Sequence, residues 1–170
     1  MLYNKALDYV FEENLTSDNV VMDLFCGTGT IGQLMKSRNA EVQIIGVDIV
    51  DEAIADAKRN AKRNGIKNIK FYASDVGKFL REHPQYKGRI KTIILDPPRA
   101  GIAPKSLVKI IELGAENIVY ISCNPSTQAR DTDTLIKAGY GLEKLSFVDQ
   151  FPHTGHIESI AKYKIELNEG

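Results

Sequence analysis

A short apolar run, residues 20–25 (VVMDLF), breaks at Cys26 and gives way to Gly27-Thr28-Gly29-Thr30-Ile31-Gly32 and then a helical pattern. A buried strand that turns at once into a helix leaves few folds open, because so tight a turn needs residues without a Cβ. The same alternation continues along the chain. Strand-like runs at 42–49, 69–74, 90–95 and 117–122 alternate with helical segments at 30–37, 51–64, 76–82, 104–114 and 125–138, and a first helix precedes them at 3–14. Strands of this kind stay buried when helices cover both faces of a parallel sheet. The tail differs: 142–150 and 157–166 are two strand-like segments with no helix between them. The expected fold is α/β and Rossmann-like, a mostly parallel seven-stranded sheet finished by an antiparallel C-terminal strand pair. A length of 170 residues suits one core, so residues 1–170 are expected to form a single domain.

Composition excludes several functions. With 22 basic and 22 acidic residues the formal charge is zero, so overall charge cannot hold the chain on a nucleic acid. Such a partner would need a local basic patch or another domain. Two cysteines, Cys26 and Cys123, cannot supply a four-Cys zinc site or an iron–sulfur cluster, and no metal site is expected. So few cysteines also argue against a disulfide framework, which makes a reducing cytoplasm the expected compartment. Residues 1–14 carry Asp8, Glu12 and Glu13 and do not resemble a signal peptide, and no apolar run is long enough to span a bilayer.

In such folds ligands bind above the carboxyl ends of the strands. Gly27, Gly29 and Gly32 fit a G-x-G-x-x-G turn there, and Asp48, at the end of the next strand, can accept both hydroxyls of a ribose. Two cofactors compete for such a site. A dinucleotide would place its pyrophosphate on the helix N-terminus. S-adenosyl-L-methionine has no phosphate but carries a sulfonium and an ammonium. Asp23, Asp48, Asp75 and Asp96 all fall at strand ends, and the turn holds no basic residue. That charge balance favours the methyl donor. Asp75 can also serve as the N-cap of the helix that follows it, and Cys26 fits a small buried apolar position.

Two further clusters end strands. Asp96-Pro97-Pro98-Arg99 is close to the D-P-P-aromatic signature of enzymes that methylate exocyclic amines, but Arg99 replaces the aromatic residue that stacks the target base. Ser122-Cys123-Asn124-Pro125 opens a helix, and a helix N-terminus favours a thiolate. Cys123 is therefore a nucleophile candidate. Glu158 lies among apolar residues after Phe151-Pro152-His153-Thr154-Gly155-His156-Ile157. The two histidines, His153 and His156, read as structural or substrate-orienting, because no third ligand stands at metal-site spacing.

Together these four segments resemble the RNA uracil-C5 methyltransferases, in order and spacing, through nearly the whole chain. The Phe-Pro-His-Thr-Gly-His-x-Glu form is closer to the ribosomal RNA enzymes, of the 23S type, than to the transfer RNA branch, which tends to have Tyr in place of His153. The resemblance implies that Phe25, Thr30, Asp48, Asp75 and Asp96 lie at the cofactor with Gly27 and Gly29, that Cys123 is the nucleophile and that Glu158 is the general base. It also implies an RNA substrate and a monomeric catalytic domain, since the family's N-terminal RNA-binding domain, its cysteine cluster and an upstream Gln are all missing here. Rival readings are methylation of transfer RNA uracil, of an exocyclic amine or of cytosine C5, and a cofactor-binding fragment inactive by itself. Cytosine enzymes carry a second Cys where this chain has Asp96-Pro97-Pro98.

Overall fold

Why the glycine turn works is visible in the backbone. The computed structural model describes residues 2–151 and 156–166. The elements run α1 (Leu2–Phe11), β1 (Val20–Leu24), α2 (Thr30–Arg38), β2 (Gln43–Asp48), α3 (Asp51–Arg63), β3 (Ile69–Ala73), α4 (Val76–Glu82), β4 (Ile90–Leu95), α5 (Pro104–Glu112), β5 (Asn117–Ser122), α6 (Pro125–Lys137), β6 (Tyr140–Phe151) and β7 (His156–Ile165). The strands form one seven-stranded sheet in the order β3-β2-β1-β4-β5-β7-β6. β1 to β5 are parallel, while β7 runs antiparallel to both β5 and β6. The expected architecture is therefore present. Differences lie at the ends: α1 stops three residues early, and β6 starts two residues earlier than its apolar pattern suggests.

Side chains alternate across the strands, and each face buries its own core. On one face Met22, Leu24, Ile93, Leu95, Ile118 and Tyr120 pack under α4, α5 and α6 through Phe79, Leu107, Ile110 and Leu135. On the other, Val21, Ile44, Ile94, Val119, Ile121 and Ile160 meet Ala6, Leu7 and Val10 of α1 and Ile31 and Met35 of α2. α3 covers the same face further out, closing Ile54, Ala57 and Ala61 over Cys26 and Phe71. β1 and β5 are buried along their full length. That is why they read as continuous apolar runs.

Alternation also sets the functional geometry. Asp23 shares the face of Val21; Asp96, Cys123 and Glu158 continue the face of Ile94, Ile121 and Ile160. All four positions thus sit at one end of the central strands, on the side that α1 covers. Among the described residues, no helix is long and apolar enough to cross a membrane.

Candidate active site

The turn after β1 bends by placing successive residues in the left-handed region: Phe25 at φ 62°, Gly27 at 55° and Gly29 at 79°. A non-glycine residue there costs of order 1–2 kcal/mol, and Phe25 is held by its surroundings. The Cys26 amide donates to the Val47 carbonyl at 3.0 Å, and Gly29 donates to Cys26 at 2.9 Å. Asp48 is tied down in the same way, with the Gly27 and Val50 amides each donating to its carboxylate at 2.9 Å. Gly29 stands at the N-cap of α2 and offers no side-chain cap, which leaves the first amides of the helix without a side-chain partner there. Thr30, the first residue of α2, is exposed beside it. Ile49 is 69% exposed and Val50 is also exposed, an apolar shelf beside Asp48. The shelf was not expected from sequence, although two apolar residues after a strand-ending acid are a signal for it. Cys26 is buried, as expected, and burial with the nearby Asp23 and Asp48 pushes its thiol far up.

Asp75 caps α4, accepting the Lys78 amide at 3.0 Å. The cap satisfies one carboxylate oxygen of an exposed side chain, so a cofactor role for Asp75 would be additional to it. His153 lies outside the described residues.

The carboxylates on the α1 side form a trio. Asp23 is fully buried, and neither carboxylate oxygen has a hydrogen-bond partner among the described residues. Burial, then the Asp96 charge, push it well above the ordinary carboxylate range, against a smaller stabilising effect of the Gly32 amide. Asp96 is pushed up to about 6 by burial and by Glu158. Tyr3, on α1, donates to Asp96 at 3.5 Å. Burial and the charges of Asp96, Asp23 and Glu158 raise the tyrosine in turn. Sequence reasoning missed Tyr3, because nothing local to a helix beginning Leu2-Tyr3 shows which strand ends it will cover. A site built from carboxylates and a phenol is suited to a cation.

Cys123 is exposed, one residue past the carboxyl end of β5. The β5–β7 register pairs Ser122 with Ser159, so the next positions, Cys123 and Glu158, lie opposite one another. The chain beyond Cys123 is fixed by Asn124, which caps α6 by accepting the Ser126 amide at 3.2 Å, while Ser122 Oγ accepts the Asn124 amide at 2.9 Å. The Asn124 side chain also reaches across to donate to the Arg99 carbonyl at 3.2 Å. Asp131, buried on α6, accepts from Tyr120 Oη at 2.7 Å and from the Ile102 amide at 3.3 Å. Gly101 is at φ 80°, and a Cβ there would meet the Arg130 side chain at 2.6 Å. The loop carrying Asp96 and the helix following Cys123 are therefore locked together. Among the described residues no cluster of three His, Cys, Asp or Glu could hold a metal ion.

A doubly wound sheet with an antiparallel seventh strand between the fifth and sixth, a glycine turn after β1 and an acid after β2 that holds that turn's amide define the class of Rossmann-like, S-adenosylmethionine-dependent methyltransferase domains. The chain belongs to the Methyltransferase domain family, which matches residues 15–164. It is similar to an uncharacterized RNA methyltransferase of Clostridium acetobutylicum, 45% identical over 94% of this chain and 33% of that protein. It is also similar to the 23S rRNA (uracil(1939)-C(5))-methyltransferase of Haemophilus influenzae, 41% identical over 95% of this chain and 36% of the other. Among solved structures it superposes on the Pyrococcus abyssi tRNA (uracil-54, C5)-methyltransferase bound to S-adenosyl-L-homocysteine, with a TM-score of 0.74 and 31% identity, covering 94% of this chain and 38% of that one. The chain spans about a third of the length of the curated relatives it matches.

Proposed function

We propose that this chain methylates C5 of uracil in RNA, of the ribosomal kind, with S-adenosylmethionine as donor. The observation that carries the reading is the register of β5 and β7, which sets an exposed thiol opposite a carboxylate at the edge shared with the cofactor turn. Asp48 would take the ribose hydroxyls, with Ile49 and Phe25 against the adenosine and the Gly27 and Gly29 backbone beneath it. Thr30 and Asp75 would contact the donor's outer atoms, and the buried Asp23 and Asp96 would face its cationic end. Bound there, the donor supplies an electrophilic methyl group.

Uracil C5 is too weak a nucleophile to take that methyl unaided. Addition of the Cys123 thiolate at C6 moves electron density to C5 and O4, and C5 then attacks the methyl. The adduct retains one proton at C5. Glu158 removes it, the electron pair returns to the C5–C6 bond, and the thiolate leaves. The base must leave its stack to reach the cleft.

RNA carrying 5-fluorouridine tests this. Fluorine cannot leave as a cation, so the reaction should stop at a denaturation-resistant protein–RNA adduct that needs the methyl donor. Cys123→Ala should give none; Glu158→Gln should accumulate a methylated adduct with ordinary uridine. An adduct that persists in Cys123→Ala rejects Cys123 as nucleophile.

A further inference from the structure

In a chain of zero formal charge, residues 58–70 (KRNAKRNGIKNIK) contain six basic residues and no acid. They form the second half of α3 and the turn into β3, and Lys58, Arg59, Lys62, Arg63, Lys67 and Lys70 are all exposed. Only Arg59 pairs with a carboxylate among the described residues, that of Asp56. Elsewhere Lys78, Lys91, Lys109, Lys137, Lys144 and Lys164 each have an acidic partner, whereas Lys5, Arg81, Lys87, Arg89, Arg99 and Lys105 have none among the described residues; what sets the run apart is that Lys58, Lys62, Arg63, Lys67 and Lys70 stand unpaired within one short stretch. Helix-dipole complementarity explains cations in the last turn of α3, Lys62 and Arg63, but not Lys58 before it or Lys67 and Lys70 beyond it.

The turn between α3 and β3 stands as a ridge between two grooves. One, of about 870 Å³, runs between α2 and the end of α3 and takes in Arg63 and Lys67. The other, of about 460 Å³, takes in Lys58, Lys62 and Lys70. Among the described residues neither of these grooves is lined by an acid, whereas a third, which Asn68 and Lys70 share with β2, takes in Glu41. The larger is lined in part by side-chain amides, Gln33, Asn60, Asn64 and Asn68, of which Asn64 donates to Gln33 at 3.1 Å, and also by Thr30, the first residue of the helix that follows the glycine turn. Cations without acidic partners, set beside neutral hydrogen-bonding groups, suit a polyanion whose charges are spaced along a strand, with phosphates on the ridge and sugars or base edges on the amides.

We propose that this basic ridge is a second RNA-docking surface, holding the backbone of the substrate strand outside the catalytic cleft. The inference rests on the RNA reading above. It also meets the requirement set by the neutral composition, that any nucleic-acid affinity be local.

The test compares two variants of equal charge. Lys62→Gln/Lys67→Gln/Lys70→Gln removes cations from the ridge; Lys87→Gln/Lys109→Gln/Lys137→Gln removes as many from the α4–α6 side. Binding of a labelled RNA oligonucleotide is titrated between about 50 and 200 mM salt. The ridge variant should bind roughly tenfold more weakly or worse, and its salt slope should fall by about 0.7 for each phosphate no longer neutralised. The control variant should keep the native slope, and calorimetry with S-adenosylmethionine should give native affinity for both. At saturating RNA the ridge variant should keep its single-turnover methylation rate while needing more RNA to reach it. The proposal is overturned by no measurable RNA binding by the native chain, by equal losses in both variants, or by polyglutamate competing better than RNA. Ridge-dependent binding without methylation would reject the catalytic reading and leave this one standing.

Discussion

Asp96 is where site and stability pull apart at the level of single residues. Its carboxyl is raised from an ordinary 3.8 to about 6 by burial and by the Glu158 charge. Below about pH 3 the group is protonated in both folded and unfolded chains and has no differential effect. As pH rises toward 6, the unfolded chain releases a proton that the folded chain retains, so stability falls; above 6 the full penalty applies. Asp96→Asn should therefore stabilise the protein at pH 8 by about 2 kcal/mol, allowing for its partial exposure, and leave it unchanged at about pH 3. Thermal melts at the two pH values should show a rise of about 4–8 °C at the higher one alone. The same substitution should cost methyl transfer. Tyr3→Phe removes a hydrogen bond that favours the Asp96 carboxylate, so it should move the acid limb of a pH–rate profile upward.

At the scale of the strand–turn–helix element, two glycines of one motif do different things. A Cβ on Gly29 would stand 2.7 Å from the Phe71 ring and 3.1 Å from Ala57, inside the packing of α3 on the sheet. A Cβ on Gly27 would meet nothing within 4 Å. Both have positive φ, which costs alanine about 1 kcal/mol. Gly29→Ala should lose about 2–4 kcal/mol in chemical denaturation, since overpacking adds to the backbone cost. Gly27→Ala should lose only the backbone part while its affinity for S-adenosylmethionine, measured by calorimetry, falls at least tenfold. Equal stability losses in the two variants would remove the distinction. The spacing of the motif gives no hint of it, since both positions are glycine for the sake of φ and only one faces packed atoms.

Over the whole molecule, charge holds the first helix to the last strands. Lys162, only 1% exposed, donates to Glu12 at 2.9 Å and to Glu13 at 3.1 Å, and Lys144 also pairs with Glu12. Burial works against the ionised forms of Glu12 and Glu13, but the lysines outweigh it and both carboxyls lie below their ordinary value. Their contribution is thus present above about pH 4.5 and lost as pH falls through the lowered values. Lys162→Met leaves the two glutamates without their shared partner. It should destabilise by about 1–3 kcal/mol at pH 7 and by much less at pH 3, read by urea titration at each pH. Since α1 carries Tyr3 to Asp96, loosening it should also blunt the effect of Tyr3→Phe on the pH profile. Acids are thus gathered over the carboxyl ends of the strands and basic side chains along the α3–β3 edge, so a neutral chain has two surfaces of opposite character.

Local sequence determined the order of strands and helices, the glycine turn, the Asp48 position and the antiparallel finish, because hydrophobic period, glycine and proline act over a few residues. It also singled out Cys123 and Glu158, the residues proposed as nucleophile and base. Only the tertiary structure decided that β7 inserts between β5 and β6, which sets Cys123 opposite Glu158 across 35 residues of chain, as the Ser122–Ser159 register requires. Only it brought Tyr3 over the acids, locked the Asp96 loop to α6 through Asp131, and set the basic run of 58–70 beside two grooves that, among the described residues, no acid lines. Those features depend on which distant segments become neighbours, and that is settled by burying two sheet faces at once rather than by any residue's own preference.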